Sequence, residues 1–169
     1  VPATMIISTR IAAATAAIAL LTLAPQAQAV RDPITGGNTD LHMKKGLLRK
    51  LANNAISVSG VGAGSVEGKK IGLPVRDGMF DPTSAQGYLE ARGGFKLSRG
   101  QRGVPVTALT VNTARGAVYA KIAKARMQLG TLSAPLTTAR EGFGANLRVT
   151  KLALTEKAAR RISNRLGLR

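Results

Sequence analysis

The chain contains no cysteine and no tryptophan, and its single histidine is His42. Without thiols there can be no disulfide, no cysteine-type structural zinc and no cysteine nucleophile. A Ser–His–Asp relay would have to pass through His42. None of Ser57, Ser59, Ser65, Ser84, Ser98 or Ser133 sits in a G-x-S-x-G elbow. Acid is scarce as well: eight Asp and Glu stand against 25 Lys and Arg, a formal charge of +17. The carboxylates are dispersed, with Asp77 and Asp81 flanking a turn signal, so an acid–base pair could only be assembled in space. Aromatic residues make up 3% of the chain; core volume must therefore come from Val, Leu, Ile and Ala. These shortages point away from catalysis and toward binding or structure.

Long apolar runs are also missing, with one exception. From Ile11 to Ala24 the sequence is IAAATAAIALLTLA, preceded by Arg10 and followed by Pro25 and the small-residue triplet Ala27-Gln28-Ala29. A basic start, a short apolar stretch and an A-x-A site form an export signal. The run is shorter than the roughly 20 residues a membrane-spanning helix needs. The expectation is a signal helix within 1–29, cleavage before Val30, and a secreted or cell-surface protein with no transmembrane segment after cleavage. An uncleaved anchor is the alternative.

The excess of base favours polyanions. Three basic sets stand out: Arg92, Lys96, Arg99 and Arg102 around one hairpin; Lys121, Lys124 and Arg126; and Lys157, Arg160, Arg161, Arg165 and Arg169 at the end. Nucleic acid is not the expected partner, because binding of single strands also calls for a row of stacking aromatics. Anionic polymers of the cell envelope fit better. Gly60-Val61-Gly62-Ala63-Gly64 lacks the G-x-x-x-x-G-K-[ST] spacing of a phosphate loop, and is expected to be a flexible connection between strands.

Residues 30–38 form a flexible lead-in, and 39–169 suit one β-rich domain. From Val66 to Val149 short alternating stretches are separated by turn signals: Glu67-Gly68-Lys69, Asp77-Gly78, Asp81 to Ser84, Gly93-Gly94, Arg99 to Gly103, Asn112 to Gly116 and Gly142-Phe143-Gly144. Val104, Val106, either Ala108 or Leu109, and Val111 share a face, as do Val118, Ala120 and Ile122. Arg126 to Leu129 is a short strand, and Pro135 makes Leu132 to Leu136 an edge or a bend. The fold class is mainly β, an antiparallel sandwich or partly closed barrel, with two short amphipathic helices flanking the sheet. Those helices belong to strand–helix units at 39–54 and 150–166. At a spacing of 111 positions, Thr39, Leu41, Met43, Leu51 and Asn53 align with Thr150, Leu152, Leu154, Ile162 and Asn164. Thr155 is placed to cap the second helix and Gly167 to end it.

The stretch from Ile71 to Leu89, IGLPVRDGMFDPTSAQGYL, resembles the central motif of HtaA-type domains of exported actinobacterial proteins. Gly93-Gly94-Phe95-Lys96-Leu97 and Thr110 to Gly116 resemble that family's next strand and hairpin, so the likeness covers roughly residues 66–150. It implies an exported, non-enzymatic β domain that binds a ligand, and in some members captures haem at the cell surface. Haem-binding members carry a tyrosine near the domain's start. Here Thr39 to Ala55 holds His42 and no tyrosine, so His42, Tyr119 and Tyr88 are the candidate haem contacts. Both tyrosines lie on inner strands, where they are expected to fill the core. Arg92, Lys96, Arg99, Arg102, Arg160, Arg161 and Arg165 are the candidate anion contacts, and no metal site is expected.

Overall fold

The computed structural model describes residues 32–34, 36–81, 83–141 and 144–168, and gives no side-chain environment for 134–151. The expected export signal at 1–29 lies outside them. The described elements are β1 Asp32–Pro33, β2 Asn38–His42, α1 Lys45–Asn53, β3 Ser57–Val61, β4 Ser65–Glu67, β5 Lys70–Asp81, β6 Gln86–Ala91, β7 Gly94–Arg99, β8 Arg102–Asn112, β9 Ala117–Ile122, β10 Ala125–Glu141, β11 Gly144–Leu154 and α2 Glu156–Leu166. Strand makes up 58%, and the sheet curls into an antiparallel half-barrel. Its main path runs β1-β5-β6-β8-β9-β10-β11. Within the lead-in, Asp32 and Pro33 pair with Phe80 and Met79.

Period-two alternation puts the aliphatic side chains on one face. Val104, Val106, Val118, Ala120 and Ile122 are at most 1% exposed, and Leu73, Leu109 and Leu129 at most 2%. Each fully buried Val, Leu or Ile contributes about 1.5–3 kcal/mol. α2 covers this face with Ala158, Ile162 and Leu166 against β8, β9 and β10. Its start and stop are written in the sequence: Thr155 Oγ1 accepts the Ala158 N–H at 3.2 Å, and Gly167 takes the left-handed conformation at φ 68°. α1 begins at Lys45 and α2 at Glu156, which preserves the 111-position spacing (45 to 156). Their settings differ. α1 has no side-chain cap and no buried residue, and Leu47 is 41% exposed.

Two long strands change partners partway. β5 pairs with β2 and β4 through Lys70–Pro74, then with β6 from Val75 onward. β8 pairs with β7 through Arg102–Thr107, then with β6 through Thr110–Asn112. Each switch coincides with an extra residue, Arg76 in β5 against β6 and Ala108 in β8 against β9. Ala108 has φ 50°. The bulge restores the inward phase at Leu109, which resolves the choice between Ala108 and Leu109. Asp77-Gly78, read as a turn, is instead inside β5: Gly78 faces Leu89, and the Asp77 carboxylate accepts the Gly78 N–H at 2.7 Å. Turn chemistry there serves the bulge. Arg126 to Leu129 is the start of a 17-residue strand rather than a short one. Pro135 falls at the register shift between Ser133 and Leu136.

The glycine-rich Gly60–Gly64 segment is close-packed rather than a loose connection. A side chain at Gly64 would run into the Gly94 carbonyl, and one at Gly94 into the Val106 carbonyl. Glycine is required because backbones touch.

Arg99 joins the two helices. Its Nε donates to the Asn54 carbonyl at 3.1 Å and its Nη1 to the Gly167 carbonyl at 2.9 Å. Both carbonyls lie at helix C-termini, where a cation opposes the negative end of the dipole. Arg99→Ala is expected to cost about 1.5–3 kcal/mol, read as a lower urea midpoint at unchanged m-value. Arg99→Lys should fall between, because one ammonium cannot match the guanidinium's planar fork; a midpoint equal to wild type in both would refute the clamp.

Asp81 is 5% exposed and organises the turn that follows it. Its carboxylate accepts the Ser84 hydroxyl and the Thr83 N–H, and these bonds hold it below its ordinary range. A depressed carboxylate stabilises the fold above its unfolded value, about 4, and that contribution is lost as pH falls through the folded value. Asp81→Asn should therefore lower Tm at neutral pH and flatten the decline of Tm below about pH 4. Identical Tm–pH curves for both proteins would overturn this.

Candidate functional site

Of the candidate positions, Tyr88, Tyr119 and Lys96 fall on the sheet face opposite the aliphatic cluster. Register sets out a row across five strands: Asp77, Glu90, Thr110, Tyr119 and Gln128. A neighbouring row holds Met79, Tyr88 and Asn112, and another holds Thr107, Lys121 and Arg126. Tyr88 and Tyr119 are therefore half-buried on the polar face and take no part in the aliphatic cluster. The expectation of core tyrosines is corrected: one position of strand phase separates Tyr119 from the buried Val118 and Ala120.

This face carries a cleft of about 220 Å³ at the strand fork. Arg76 at the β5 bulge, Glu90 on β6, Ala108 and Thr110 on β8, Lys121 on β9 and Arg126 on β10 line it. Arg76, Lys121 and Arg126 are exposed, and Glu90 and Thr110 half-buried. Arg126 Nη2 donates to Thr110 Oγ1 at 3.0 Å, which fixes the direction of the guanidinium. No ion pair joins Glu90 to any of the three cations. Arg76 belongs to none of the three basic sets in the sequence. A signal was present in Val75-Arg76-Asp77-Gly78, where a break in alternation precedes a turn dipeptide inside a strand.

The four cations assigned to one hairpin separate. Lys96, opposite Pro105, is on the polar face and passes over Gly103. Arg99 and Arg102 pair with each other and lie on the aliphatic side, near the end of α2. They line a second, open hollow of about 280 Å³ together with Gln101 and Leu166. Arg92 is at the other end of β7, exposed in the turn before Gly94. On α2, Arg160 pairs with Glu156, and Arg161 Nε donates to the Ile122 carbonyl at 3.1 Å, while Arg165 is exposed. Arg99 and Arg161 thus bind backbone carbonyls of the fold.

The haem candidates do not converge. His42 is exposed at the end of β2, opposite Lys70, whose ammonium bonds Asp40 at 2.9 Å and is held above its ordinary range by that contact. Tyr88 faces Met79, nine positions further along β5, about 30 Å at strand rise. Neither hollow contains a tyrosine or histidine, and both fall below the roughly 300–1,000 Å³ of sites that enclose a sizeable ligand. The described residues do not fit an iron-ligated haem. No group of three or more His, Cys, Asp or Glu gathers for a metal among them, and none of the described helices is long and apolar enough to cross a membrane. No family model, curated protein or solved structure matches the chain.

Haemin titration of the chain should consequently give spectra that are the same for wild type, His42→Ala and Tyr119→Phe. A Soret band present in wild type and lost in either variant would reverse the assignment.

Proposed function

We propose that this chain is an exported, non-enzymatic binding domain of the HtaA type that attaches to anionic polymers of the cell envelope. The observation that carries the reading is the gathering of Arg76, Lys121 and Arg126 on an open sheet face, none of them ion-paired to a carboxylate among the described residues. Half-buried tyrosines and a polar row extend that face beyond the cleft. Lys96, Arg92 and Arg165 add exposed charge elsewhere. An aliphatic face sealed by α2 supplies stability, which frees the opposite face to carry charge. The haem alternative has less support, because its candidate contacts are spread over separate strands and hollows.

Coulombic attachment of this kind depends on ionic strength, since the screening length shrinks from about 10 Å at 0.1 M salt to about 3 Å at 1 M. The protein should be retained on immobilised polygalacturonate or teichoic acid at low salt and released at high salt. Replacing Arg92, Lys96 and Arg165 together by Gln should shift elution to lower salt without changing Tm, as no described side-chain hydrogen bond involves them. Retention unaffected by salt would refute attachment by charge.

A further inference from the structure

We propose that the cleft at the strand fork is a subsite for a hydroxylated oxyanion, one sugar or polyol unit of an anionic polymer held by its carboxylate or phosphate. This rests on the polymer reading above and specifies which chemical unit is recognised and where.

Three features separate the cleft from a merely solvated charged surface. The first is convergence. Arg76 comes from β5, and Lys121 and Arg126 face each other across the β9–β10 hairpin some 45 positions later (76 to 121), yet all three meet around one hollow. The β5 bulge makes Arg76 the extra residue in its strand, and the β8 bulge places Ala108 in the lining. Bulges of this sort re-aim side chains beside functional sites.

The second feature is orientation. Arg126 spends one N–H on Thr110 Oγ1. A guanidinium has five donors, so the remaining ones are presented from a fixed plane. That suits the two oxygens of a carboxylate or phosphate, which arginine matches as a fork.

The third is the presence of Glu90 among the cations without an ion pair to any of them. An ionised carboxylate only accepts hydrogen bonds. It repels a bare anion that approaches too closely and accepts hydroxyl groups next to the anionic centre. Together with the Thr110 hydroxyl, it turns a cation cluster into a surface that prefers an oxyanion flanked by hydroxyls. Size agrees. At about 30 Å³ per water molecule, a volume near 220 Å³ holds a handful of waters, the displacement of a single sugar or polyol unit.

The test is calorimetric titration of the full chain with three probes: trigalacturonic acid, glycerol 3-phosphate and inorganic phosphate. At least one hydroxylated probe should bind more tightly than inorganic phosphate. The stronger of the two identifies the source as carboxylate or phosphate. Arg76→Gln and Arg126→Gln should each weaken it about tenfold. The surface pair Arg49→Gln with Arg115→Gln, exposed and outside both hollows, should change it by less than about twofold. Glu90→Gln should reduce the preference for the hydroxylated probe over inorganic phosphate, an effect that mere loss of fold cannot produce. Arg76 and Arg126 are exposed, and an unchanged Tm confirms that the variants are folded. If no probe binds while salt-sensitive retention on polymer persists, the subsite is refuted and the polymer reading stands. Equal weakening by cleft and surface variants would refute the subsite as well. Salt-insensitive retention refutes the polymer reading itself.

Discussion

Everything in this molecule depends on covering one aliphatic sheet face with no disulfide and with Phe95 as the one aromatic side chain of the described core cluster. The face is made of Val, Leu, Ile and Ala at alternate positions, and at its centre almost none of it is exposed. A curled sheet does not close over such a face by itself. α2 completes it with Ala158, Ile162 and Leu166, and Arg99 fastens the end of that helix to the β7–β8 hairpin. Because interior packing falls off steeply with any gap, the strand phase has to be kept across every irregularity. The bulges at Arg76 and Ala108 keep it, returning Gly78 and Leu109 to the inner side.

Those same bulges create the polar cleft. An extra residue in each of two strands lets β5 and β8 change partners, and the fork left between the pairings is lined by what the bulges turn outward. Aliphatic packing and exposed polar and cationic side chains therefore divide between the two faces of one sheet. Few groups serve both, and Arg99 and Arg161 show the boundary: each is cationic, yet each is committed to backbone carbonyls. Counting basic residues overstates the surface available for ligands, since part of that charge closes helix ends and fastens a helix to the sheet.

The sequence was most informative where the physics is local. Turn glycines, period-two alternation in Val104–Val106 and Val118–Ile122, the Thr155 cap and the Gly167 stop are all found in the structure. So is the 111-position spacing of the two helices. Readings failed where one residue changes strand phase. Asp77-Gly78 has turn chemistry but lies in a strand, because a neighbouring bulge uses it. Tyr88 and Tyr119 seemed interior because their strands are central, whereas their phase puts them on the polar face. Arg92 to Arg102 read as one cluster, since alternation and strand length are invisible to simple proximity. Lys121 and Arg126 are neighbours in sequence, but Arg76 joins them only through the order β5-β6-β8-β9-β10, which no local pattern encodes.

The helix that seals the sheet follows every strand it covers. During synthesis β1 through β11 leave the ribosome before α2 does, so the part of the aliphatic face that α2 covers is open until this helix packs on it.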